Sequence, residues 1–104
     1  MKDIEERMRV AMRTAIRANR KAKLWAKVNC EDNFVLAVYG IADDAVMNIV
    51  VAEIGSPPMI DWFNSMNKID EASKTVTGWG AAYRSNMKSF VLTTCREMYS
   101  VLRV

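Results

Sequence analysis

The chain predicts an α+β fold: a single small domain ordered as a long N-terminal helix, a β-hairpin and two C-terminal helices, with an all-α arrangement of four to five helices as the alternative. Three observations carry this. Apolar residues recur at helical spacing up to Trp25, two runs rich in valine and isoleucine flank Asp43-Asp44, and helical spacing returns after Ser56-Pro57. With 104 residues, 51% hydrophobic and 26% charged, the composition is that of an ordinary globular chain, and residues 1–104 are expected to form one domain. A chain of this size buries roughly 65% of its unfolded surface, which leaves little room for a deep internal site.

The first helix is expected from about Lys2 to Asn29 without interruption. Ile4, Met8, Ala11, Met12, Ala15, Ala18, Ala22 and Trp25 step by three and four, which at about 100° per residue gathers them on one face. Asp3, Glu5 and Glu6 near its start and Lys21, Lys23 and Lys27 near its end suit the helix dipole. No acidic residue stands between Glu6 and Glu31, yet eight basic ones do. Of these, Arg9, Arg13, Arg17, Arg20, Lys23 and Lys27 fall within roughly 120° of arc as a continuous stripe. Like charges four apart cost roughly 0.2–0.5 kcal/mol per pair in an isolated helix. Either the stripe is a solvated face ordered by the dipole, or it meets an acidic partner; the cost favours the partner. The small side chains Ala11, Ala15, Ala18 and Ala22 would admit a second helix closely, from the chain's own C-terminal helix or from another copy, so a homo-oligomer is expected.

In the middle, Asn33 to Ile41 and Ala45 to Ile54 read as the strands of a hairpin turning at Asp43-Asp44. Pairing would set Phe34, Leu36 and Val38 beside Val51, Ile49 and Met47, with both faces apolar and in need of cover. The rival is two short helices, one capped by Asp43 and ending at Gly55. Ser56 is a good N-cap and Pro57 a good first residue for a helix running to about Lys68. Ile69 to Thr77 adds a turn or short helix, and Gly78-Trp79-Gly80 reads as a break. Trp79 is then a lid over the core or a stacking contact for a base or partner. The last helix spans about Ala81 to Leu102, with Tyr83, Met87, Phe90, Val91, Thr94, Cys95, Met98 and Leu102 marking its buried face.

Absences bound the chemistry. Without histidine the chain cannot build a Ser-His-Asp or Cys-His nucleophile or an imidazole metal site, and its four glycines fit no phosphate-binding loop. Asp43-Asp44 and Asp70-Glu71 are the densest acidic spots and lack the spacing of a calcium loop. No catalytic residue, metal ligand or cofactor is therefore expected, and the chain reads as non-enzymatic. Cys30 and Cys95 stand apart and read as reduced packing residues. Neither an apolar leader nor an unbroken apolar run of membrane length appears, so no transmembrane segment and a cytoplasmic location are expected.

The net charge of +3 divides into about +6 over residues 1–30, −6 over 31–79 and +3 over 80–104. The function expected from this is that of an adaptor or inhibitor docking an acidic protein surface through the basic N-terminal helix. Sequence-independent nucleic-acid binding through the same stripe is the alternative. Attachment to an anionic membrane is a third reading, weakened by an apolar face made mostly of alanine.

Overall fold

A computed structural model describes residues 4–67 and 76–104. Five helices make up its regular structure: α1 (Ile4–Ala18), α2 (Ala22–Val28), α3 (Glu31–Glu53), α4 (Pro57–Asn67) and α5 (Val76–Leu102). No strand occurs among the described residues, so the α+β expectation and its hairpin are overturned in favour of the all-helical alternative. The two runs taken for strands belong to one 23-residue helix, α3. Its buried residues Phe34, Val38, Ala42, Val46 and Val50 follow each other at steps of four, one per helical turn. Asp43 and Asp44 lie inside that helix instead of forming a turn.

The three long helices form the core. α1 presents Ile4, Met8, Met12 and Ile16, each 0–2% exposed, also at steps of four. α5 presents Met87, Phe90, Val91, Thr94, Cys95 and Met98. α1 packs chiefly on α3, and α3 on α5. Arg7 in the first turn of α1 pairs with Glu53 in the last turn of α3, and Tyr99 near the end of α5 reaches Asn29 just before α3. α3 therefore runs antiparallel to α1 and α5. Each fully buried methionine or valine contributes about 1.5–3 kcal/mol through removal of apolar surface from water. Thr94 is the one buried polar residue there, and its hydroxyl donates to the Phe90 carbonyl of its own helix at 3.4 Å.

The expected helix from Lys2 to Asn29 is instead two helices. Asn19 ends the first: its Oδ1 accepts the Lys21 backbone N–H at 2.9 Å, an Asx turn that takes over the bond the helix would otherwise continue. α2 then buries Ala22 and Ala26 against the bundle, with Trp25 half-buried beside them. Asn29 closes α2 by donating both its backbone N–H and its side-chain Nδ2 to the Trp25 carbonyl, at 3.0 and 3.1 Å.

Two features match the sequence reading. Ser56 caps α4, its Oγ accepting the Met59 N–H at 3.3 Å, with Pro57 as first helical residue. α4 sets Trp62 edge-on to Phe90 at 5.7 Å between centroids, over the open end of the core. The expected break at Gly78-Trp79-Gly80 is not there, since α5 begins at Val76 and runs through these positions. The turn or helix expected over Ile69 to Thr77 falls mostly outside the described residues.

Two glycines play opposite parts. Gly55 turns the chain out of α3 at φ +80°, a conformation side-chain-bearing residues adopt at a cost of roughly 1–2 kcal/mol. Gly40 lies in mid-helix with no atom within 4 Å of where its Cβ would stand. Gly55→Ala should therefore lower the denaturation midpoint, and Gly40→Ala should raise monomer stability by about 0.5–1 kcal/mol. Chemical denaturation of the two variants beside the parent chain measures both.

Candidate functional site

The six residues of the expected stripe separate into two groups. Arg9 ion-pairs with Glu5 one turn back, and its guanidinium lies over the Phe90 ring at 5.5 Å. Arg13 reaches Glu97 on α5 at 3.4 Å. These two join α1 to its own bundle. Arg17, Arg20, Lys23 and Lys27 are exposed, as is Lys21, and no carboxylate of the described residues stands within ion-pair distance of any of them.

The Asn19 turn decides where the second group lies. By ending α1 and starting α2 it bends the stripe, so its free part wraps one end of the bundle instead of following one long helix. α2 turns Ala22 and Ala26 inward, which leaves Lys23, Leu24, Lys27 and Val28 outward. Leu24 is 58% exposed and Val28 68%, four residues apart on the same helix as the lysines. The outward face of α2 is thus cationic and apolar together.

That end is held in place by a relay from α5. The Tyr99 hydroxyl donates to the Asn29 carbonyl at 3.2 Å and accepts from Arg103 Nη1 at 2.9 Å, while the Arg103 guanidinium lies over the Tyr99 ring. Tyr99 itself packs on Phe34, 5.5 Å between centroids. A looser ion pair joins Arg96 Nε to Glu31 at 3.9 Å. Between α1 and α5 an open groove of about 570 Å³, lined by Arg13, Arg17, Glu97, Met98, Ser100 and Val101, leads up to the basic end.

Burial pushes the Cys95 thiol up to about 11, against a smaller opposing pull from Arg96, which suits a packing residue. Tyr39 is raised by burial and by the nearby Asp43. Glu53, at the far end, is lowered chiefly by the hydrogen bond from Arg7. Among the described residues no group of three or more cysteines, aspartates or glutamates gathers to hold a metal ion. Trp79 lies within α5 by its backbone, and its side chain is outside the described residues. The expected alanine strip is not the core face of α1, because Ala11 and Ala15 are half-buried and Ala18 is exposed. No protein-family model, curated protein or solved structure matches this chain.

Sequence reasoning places Leu24 near the basic face as its one exposed apolar candidate, and the structure bears this out; it missed Val28, although the four-residue spacing from Leu24 was visible. It also missed the apolarity of α3 as a whole, which by length and composition alone is enough to cross a membrane. Its ridge packs between α1 and α5, and Asp43 and Asp44 lie at its middle.

The two groups of cations should separate in stability measurements. Arg9→Ala should cost about 1 kcal/mol through the lost ring and ion-pair contacts. Arg20→Ala, Lys23→Ala and Lys27→Ala should each stay within about 0.5 kcal/mol of the parent, read from denaturant midpoints. A disulfide reagent at mildly alkaline pH should titrate exposed Cys30 at once and buried Cys95 only after unfolding.

Proposed function

We propose that the protein is a non-enzymatic interaction protein, an adaptor or inhibitor, that docks an acidic protein surface through the α1–α2 end. The observation that supports this most is the coincidence, at one end of the bundle, of five exposed cations lacking carboxylate partners with the exposed apolar side chains Leu24 and Val28. Cations alone would equally suit phosphates. Apolar side chains between them suit a protein partner, because burying them contributes affinity that a phosphate backbone does not offer. The charges then set approach and orientation, and the two apolar residues anchor the contact.

The site is a revision of the one expected from sequence, with Arg9 and Arg13 reassigned to the bundle and Lys21, Leu24 and Val28 added. Nucleic-acid binding through Arg17, Arg20, Lys23 and Lys27 is the reading that the same experiment separates. A tagged chain captured from lysate with and without nuclease should retain a stoichiometric protein in both lanes. The variant Arg20→Glu/Lys23→Glu/Lys27→Glu should lose it while keeping the parent's helical circular dichroism and melting temperature. Retention of the partner at parental affinity by the triple variant overturns the proposal. A captured species that disappears with nuclease assigns the site to nucleic acid.

A further inference from the structure

The outer face of α3 is the second unpartnered surface of the molecule. Its inner ridge is occupied by α1 and α5, but 33% of its most apolar 18-residue stretch is buried, and the rest is not. Leu36 is 78% exposed and Val51 68%, one on each side of exposed Ala37, Gly40 and Asp44. At about 100° per residue, Leu36, Gly40, Asp44 and Val51 share an arc of roughly 80° pointing away from the ridge. Half-buried Asp43 borders it. Neither aspartate has a cationic side chain of the described residues within ion-pair distance.

Gly40 is the informative residue here. Glycine in a helix interior costs about 1 kcal/mol relative to alanine, a cost usually offset by a neighbour that needs the space. Among the described residues no atom outside its own stretch of helix lies within 4 Å of its Cβ position. A glycine facing open space lets another backbone approach closely.

We infer that the acidic surface received by the α1–α2 end is this face of α3 on a second copy of the chain. The inference rests on the docking role proposed above and names its partner. Both halves of the contact are in one sequence, and neither finds an ion-pair partner among the described residues. α2 offers Lys23 and Lys27 beside Leu24 and Val28; α3 offers Asp43 and Asp44 beside Leu36 and Val51. Seven residues of α2 span about 10 Å, matching about two turns of α3 around Gly40. In such a contact Leu24 and Val28 lie along Leu36 and Gly40, with the lysines over the aspartates. Made reciprocally about a two-fold axis the contact is isologous and closes a pair; made in one direction it is heterologous and builds a ring or a longer array.

Analytical ultracentrifugation at low salt tests this on the full chain. The parent should show a mass that rises with concentration to twice that of the monomer or beyond, and that falls back in high salt. Lys23→Glu/Lys27→Glu should sediment as a monomer, and so should Asp44→Lys. Gly40→Phe should also be monomeric while remaining folded, with helical circular dichroism like the parent's, because its ring enters open space. Mixed in equal amounts, the lysine variant and the aspartate variant should associate again, because the intact α2 end of one meets the intact α3 face of the other. A parent chain that stays monomeric throughout overturns the inference, as does association that survives Gly40→Phe and Asp44→Lys. The docking role is judged separately, by whether the lysate partner is lost with the α2 charges.

Discussion

The ridge of Phe34, Val38, Ala42, Val46 and Val50 is the surface on which both other long helices rest. A residue every fourth position drifts slowly around a straight helix, and the ridges of two antiparallel neighbours can follow it only if they use the same spacing. α1 does so with Ile4, Met8, Met12 and Ile16. The unbranched methionines fill what the β-branched side chains of α3 leave open. Since α3 ends beside the start of α1 and begins beside the end of α5, its length determines how far apart the two ends of the bundle lie. The basic end is a by-product of that arrangement: α1 has to stop at Asn19 so that α2 can cross and deliver the chain to the start of α3.

What could be read from the sequence follows from whether the signal was local. The α4 cap was legible because Ser56 and Pro57 act within one turn. The core face of α5 from Met87 onward was legible because no competing pattern overlaid it. α3 was misread because valine and isoleucine suggest strand by composition while their spacing is helical, and the two signals conflict over this segment. The hairpin carried its own warning, for pairing left both faces apolar. A helix with an apolar ridge and a mixed outer face accounts for the same residues without needing cover on two sides.

The basic stripe was legible as a set and illegible as two groups. Glu5 stands four residues before Arg9, so that pairing could have been read locally. Glu97 stands 84 residues from Arg13, and no local pattern announces it. Nor does composition reveal that Asn19 will hydrogen-bond Lys21 and bend the stripe, since asparagine in a helical run is tolerated as often as it turns. The charges that look excessive on a straight wheel, Arg9 and Arg13 among them, are partly spent on the bundle itself. Of those that remain, Arg17 and Lys27 lie in the last turns of α1 and α2, where the dipole favours them, whereas Lys21 and Lys23 stand at the start of α2, where it opposes them.

The Tyr99 hydroxyl bridges Asn29 and Arg103 across 70 positions of sequence. The junction that orients α2 and the final turn of α5 thereby become one cooperative unit, opening together in native-state hydrogen exchange instead of fraying independently. A helix of seven residues would be marginal alone. Its persistence, and with it the presentation of Lys23, Leu24, Lys27 and Val28, is drawn from a phenol on the other side of the fold.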